Sequence, residues 1–193
     1  MREEVKAALP RDLFDPAAPS STTPDFHLAA TLESLPYLNG VCNETLRLYP
    51  TVPITFRTAI RPTTVSNFQV PTGTRFAICP WAINRSPEIW GSSAEQFKPE
   101  RWIDFNQETG EAEKPNNSGG VSSNYAIQTF LHGPRSCIGQ GFAKAELRCL
   151  VAAFVASFEW ELGMKEEDVV CSGVVTSKPE FGMKLKIKVL EDQ

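Results

Sequence analysis

Fifteen prolines are spread through 193 residues. Each removes a backbone donor and fixes φ, so long uninterrupted helices must be few. Two stretches are left for them. The first runs from about Thr31 to Leu48, with Pro36 near its start. Leu38, Val41, Cys42, Thr45, Leu46 and Tyr49 fall near the 3.6-residue period, and Pro50 ends the helix. The second runs from Gly139 to Trp160. Its apolar centre, LVAAFVASF, is too short to span a bilayer and reads as a buried core helix.

The remainder is shorter and more broken. Residues 2–9 read as a short helix stopped by Pro10, and residues 10–30 as a loop with at most short helical turns. Between 51 and 79 the period changes. VPITFRTAI, TVSNFQV and RFAIC are β-rich and predict three strands of a small antiparallel sheet. WAINRSPEIWG predicts one short helix entering a turn, and polar, glycine-bearing residues 103–124 predict a long mobile loop. Cys171 to Leu190 reads as a C-terminal β-hairpin. Strict alternation over Lys184–Val189 implies one wet face and a lysine-guarded edge. The fold class is α+β, mainly α.

Composition excludes several functions. Hydrophobic residues at 41% and charged residues at 22% suit a globular chain about one domain long. Nineteen Lys plus Arg against 23 Asp plus Glu give a net charge of −4, which argues against a nucleic-acid partner. The start, MREEVKAALP, has no apolar run of the kind a signal peptide needs. Three N-x-S/T matches, at Asn43, Asn84 and Asn116, therefore read as coincidental. Two histidines cannot build a multi-histidine metal site. Five cysteines, without CxxC spacing, suggest neither a disulfide framework nor a zinc ribbon. Any metal chemistry would fall largely to one cysteine.

That cysteine is Cys137, in Phe130-Leu-His-Gly133-Pro-Arg135-Ser-Cys137-Ile-Gly139. The segment resembles the haem-binding signature of the cytochrome P450 family, F-x-x-G-x-R-x-C-x-G, at every fixed position, and Ala143 and Glu146 also fit. The resemblance implies haem b (iron protoporphyrin IX) with Cys137 as the axial thiolate to iron. Cys137 stands just before a helix N-terminus, where free N–H groups favour a thiolate. Gly133 and Gly139 would let the backbone turn and approach a flat macrocycle. Phe130 would shield the sulfur, and Arg135 would hold a propionate. Cys42, Cys79, Cys149 and Cys171 match no ligand position and read as core cysteines.

Other motifs fall in the family's order. Glu44-Thr-Leu-Arg47 resembles its E-x-x-R motif, and residues three apart share a helix face. Asn84-Arg85 and Trp90-Gly91 follow, and then Phe97-Lys-Pro-Glu100-Arg101-Trp102, which resembles P-E-R-F with Trp for Phe. The resemblance implies that Glu44, Arg47 and Arg101 form a buried network supporting the cysteine loop. It places a second propionate arginine at Arg57. It makes Val52, Ile54, Phe56 and the hairpin around Val174–Lys178, including Val175, candidates for lining a substrate pocket, with plain packing as the alternative. Lys144 and Arg148 would lie on a reductase-docking surface or a solvated helix face.

The resemblance covers essentially the whole chain but only the second half of the family fold. It divides the chain into a helical region (1–50), a β-rich region (51–79), a meander and loop (80–129), the cysteine loop and core helix (130–160) and the C-terminal hairpin (161–193). It implies a monooxygenase that inserts one atom of O2 into a small organic substrate, with electrons from NADPH-cytochrome P450 reductase. The expected site is the cytosolic face of the endoplasmic reticulum membrane. These residues contain no anchor, so at most a loose membrane association is expected. The family's distal helix is absent too, so the 193 residues alone are expected to be inactive, with exposed apolar faces on both long helices. A truncated haem-binding or interaction fragment, and a haem-thiolate isomerase or peroxygenase, stay open as alternatives.

Overall fold

The computed structural model describes residues 1–10, 27–173 and 175–190. Most of the expected 10–30 loop, Val174 and the last three residues lie outside these. Helix α1 spans Arg2–Ala8, α2 Leu28–Ser34 and α3 Pro36–Leu48. The single helix expected over 31–48 is thus two. Leu35 is extended, at φ −79° and ψ 111°, because a residue preceding proline is pushed out of the helical region. Pro36 then restarts the helix where its missing N–H is no loss. Glu4 from α1 caps α3, its two carboxylate oxygens accepting from Tyr37 N at 2.9 Å and Leu38 N at 3.0 Å.

Residues 51–79 hold four strands in two separate antiparallel ribbons, not one three-stranded sheet. Strand β1 (Thr55–Thr58) pairs with β4 (Arg75–Ile78), and β2 (Thr63–Val65) pairs with β3 (Phe68–Val70). The run TVSNFQV conceals a turn at Ser66-Asn67, with Ser66 at φ 51°. Two short helices, α4 (Pro80–Ile83) and α5 (Pro87–Trp90), replace the one expected, again parted where a residue precedes proline.

The expected loop 103–124 contains a hairpin of β5 (Ile103–Phe105) and β6 (Ala112–Pro115). Asn116 organises the rest. Its amide donates to Arg101 O and Asp104 Oδ1, both at 3.1 Å, and its Oδ1 accepts from Gly119 N at 2.9 Å. Gly119, at φ +63°, lies on the rings of Trp102 and Trp90, where an added Cβ would stand 2.8 and 2.9 Å from ring carbons. Gly119→Ala is expected to lower stability by ~1–3 kcal/mol, combining left-handed strain with overpacking. Urea unfolding would check this, and an unchanged midpoint would show that the loop yields.

Helix α6 (Gln140–Ser157) ends before the expected Trp160, because strand β7 (Phe158–Leu162) takes over. Arg2 marks that end, donating to Val155 O at 2.8 Å and Phe158 O at 2.7 Å. The C-terminal hairpin is small, β8 (Cys171–Ser172) against β9 (Lys178–Pro179). The alternating strand, β10 (Leu185–Val189), pairs instead with β7 across the chain. All five β10 residues are exposed, so its apolar face is as wet as its lysine face.

The main core joins α1, α2, α3 and α6 through Val5, Leu32, Leu38, Cys42, Ala152 and Val155. A second gathers Trp90, Ala94, Trp102 and Ala126. Burial pushes the Cys42 thiol up to about 11, against a smaller opposing effect of the Arg148 charge, so it stays a neutral core group. The core reading fails for Cys149 and Cys171, which are exposed, and Cys79 is half-buried. It also fails for much of α6, whose buried residues are Ala152, Val155 and Ala156. Only one side of that helix meets α1–α3, and Phe142 is 75% and Leu150 63% exposed. The apolar face expected to be open on residues 31–48 is closed, with Leu32, Leu38 and Leu48 buried.

Candidate functional site

Glu44 and Arg47 stand one turn apart on α3 and are fully buried. The pair is bidentate, Arg47 Nε to Glu44 Oε2 and Nη2 to Oε1, both at 2.8 Å. Arg47 Nη1 donates further to the backbone oxygens of Asn84 and Ala94, at 2.6 and 2.7 Å. Glu44 Oε1 also accepts from Lys98 N at 2.9 Å and Arg101 Nε at 3.3 Å, and Oε2 from Trp102 Nε1 at 2.9 Å. Every acceptor direction of the carboxylate is thus used. Burial by itself would raise the Glu44 carboxyl. The hydrogen bonds from Arg47, Trp102 and Lys98 N–H, with the Arg47 charge, outweigh it and hold the group below the usual carboxylate range. Arg47 also stacks on Trp90, 4.9 Å from the ring centroid.

The network reaches the cysteine loop through Asn84, also fully buried. Its Nδ2 donates to Arg47 O and to Thr129 Oγ1, both at 2.9 Å, and its Oδ1 accepts from Gln128 N at 2.8 Å. Thr129 Oγ1 donates in turn to Leu46 O at 2.7 Å. Residues 128 and 129 are therefore bolted to α3 just ahead of Phe130. The loop reverses at Leu131 (φ 58°) and Gly133 (φ 73°) and is closed by Cys137 N donating to Phe130 O at 2.8 Å. Cys137 is exposed at the mouth of this turn, and α6 begins at Gln140. Gly139 has an ordinary backbone, φ −87°, so the sharp turning falls to Leu131 and Gly133.

These features fit a haem-thiolate group. The donor would be the exposed Cys137 thiol, at the end of the loop closed by its own backbone N–H. A Cβ at Gly133 would meet nothing within 4 Å, and one at Gly139 only the Cys137 sulfur at 3.8 Å, so the open side of the loop is clear. Arg135 is exposed and has no carboxylate or hydrogen-bond partner among the described residues. Arg57 is half-buried on β1, donating to Thr55 Oγ1 at 3.2 Å and Phe56 O at 2.8 Å.

The pocket candidates come from two segments that meet, since Ser177 N donates to Thr51 O at 2.6 Å. Val52, Ile54, Phe56 and Val175 are all exposed there. Arg148 is no free surface cation. It pairs with Glu33 at 3.5 Å and donates to Asn39 Oδ1 at 2.7 Å. In the sequence Asn84 and Trp102 stand out only by their places in motifs, and their roles come from contacts made in the fold. The Trp for Phe in the P-E-R-W segment was the available signal, because an indole has the N–H a phenyl ring lacks.

A folded α3–α6 core with a braced cysteine loop agrees with the comparison to known proteins. The model of the family described as "Cytochrome P450" matches residues 2–185, and the chain belongs to that family. It is 44% identical over 191 residues to cytochrome P450 monooxygenase sphH of Aspergillus fumigatus, covering 99% of this chain and 32% of the relative. It is 46% identical over 190 residues to cytochrome P450 monooxygenase ptmK of Penicillium ochrochloron, covering 98% of this chain and 34% of that relative. The chain spans about a third of the length of the curated relatives it matches. Among the described residues no helix is long and apolar enough to cross a membrane.

Proposed function

We propose that these residues are the haem-binding C-terminal part of a cytochrome P450 monooxygenase. Family membership together with an exposed Cys137 at the end of a braced loop supports the reading above all else. Cys137 would be the protein's ligand to haem b. Arg135, with Arg57, would hold propionates by charge-assisted hydrogen bonds. Phe130 would stand beside the sulfur, and Gly133 and Gly139 would leave room for the macrocycle. The Glu44–Arg47–Arg101 network would set the loop's position and move no proton. When bound, the haem supplies activation of O2 and insertion of one oxygen atom into a small organic substrate, using electrons from an NADPH-dependent reductase.

In the whole protein, Val52, Ile54, Phe56 and Val175 would face the substrate, at the cytosolic face of the endoplasmic reticulum. The 193 residues alone would bind haem without turnover, because oxygen chemistry needs a dry pocket and the pocket candidates Val52, Ile54, Phe56 and Val175 all stand exposed here. Haem titration of the purified chain, followed by reduction and addition of CO, tests the reading. A thiolate-type Soret band is expected; tight haem binding without that band would overturn it. Addition of reductase, NADPH and a panel of small organic substrates should give no product.

A further inference from the structure

Between α3, the 117–124 turn, the cysteine loop and the first turns of α6 lies a cavity of about 370 Å³. Its wall contains Lys144 together with Asn43, Ser123 and Gln140, and no Asp or Glu contributes to it. Lys144 has no ion pair or hydrogen bond among the described residues, whereas Arg148, one turn along α6, is committed to Glu33 and Asn39. Asn43 is only 9% exposed, and its side-chain amide, which makes no hydrogen bond among the described residues, is not sealed from solvent. The wall thus carries a half-buried ammonium and amide groups but no carboxylate, and the acidic group that acts on Lys144, Glu33, stands outside the wall and is paired with Arg148. Gln140 is the first residue of α6, so that helix's positive end adds to the same field.

We propose that this cavity binds a small organic anion through a phosphate or carboxylate group, with Lys144 as the counter-ion and Asn43 and Gln140 as hydrogen-bond donors. The ligand would bridge α3 and α6 beside the cysteine loop, on a wall that includes Phe130 but not Cys137. Burial, and then the Arg148 charge, pull the Lys144 ammonium below the ordinary lysine value against a weaker pull from Glu33, which agrees with a cation lacking its partner.

Calorimetric titration of the purified chain with inorganic phosphate, and separately with acetate, would test the site at constant ionic strength in chloride. Saturable binding is expected, weakened at least tenfold in Lys144→Gln and unchanged in Lys114→Gln, which removes an exposed lysine near Asp104. The stronger arm identifies a tetrahedral or a planar anion as the better fit. If Lys144→Gln loses its fold by circular dichroism, Gln140→Leu decides, with weakening of several-fold expected. No saturable binding by either anion, or equal binding by the folded variants, overturns the proposal.

Discussion

Glu44→Gln should lower the chain's stability by ~3–5 kcal/mol, the magnitude expected when one partner of a buried ion pair is removed. That is a large part of the ~5–15 kcal/mol holding a typical domain together. The substitution preserves shape, so the loss is electrical and directional. Oε1 accepts from Arg47, Lys98 N and Arg101, and Oε2 from Arg47 and Trp102. A glutamine keeps one acceptor oxygen and turns an NH2 group toward donors. Arg47 would remain buried without a countercharge, its backbone acceptors on Asn84 and Ala94 being neutral.

The same group sets a pH dependence. The folded-state carboxyl is held below its ordinary value, so Glu44's contribution is fully present above the unfolded pKa of about 4.3. It is lost as pH falls through the lower folded-state value. Urea midpoints measured from neutral pH downward should drop in the native chain and fall less steeply in Glu44→Gln. Equal midpoints for the two proteins at neutral pH would contradict a supporting role for the network.

Cys137→Ala should abolish the thiolate-type Soret band of the reduced, CO-treated protein while leaving unfolding by urea nearly unchanged. The side chain is exposed, so its removal opens no cavity in either core, and the loop is held by the backbone bond from residue 137 to Phe130 O, which alanine retains. Two other cysteines, Cys149 and Cys171, are also exposed, so accessibility alone does not select the ligand. Cys149→Ala and Cys171→Ala should keep the full band. Survival of the band in Cys137→Ala, or its loss in either control, would place the ligand elsewhere.

Much of this candidate site is legible residue by residue. Glu44 and Arg47 share a helix face through their spacing alone, and Cys137, Gly133 and Arg135 lie in one short segment, so their proximity is a property of the local chain. The prolines are legible too, but they divide the chain more finely than the helical period alone implies. Each of Pro36 and Pro87 ended one element and began another, because the residue before it could not stay helical. The turn at Ser66-Asn67 carries no sequence signal of its own, since it interrupts a β-rich run without glycine or proline.

What a linear reading could not supply was every contact made across distance. Asn84 joins α3 to the cysteine loop, Trp102 completes the shell of Glu44, Asn116 orders a segment that reads as a loop, and β10 crosses the chain to reach β7. By itself the sequence determined the family, the candidate iron ligand and the positions of the main helices, since these rest on identity and short-range spacing. Only the tertiary structure decided which cysteines are buried, which side of α6 is covered and how the loop is braced. Burial and hydrogen-bond satisfaction depend on what packs opposite a residue, and that partner is commonly tens of positions away.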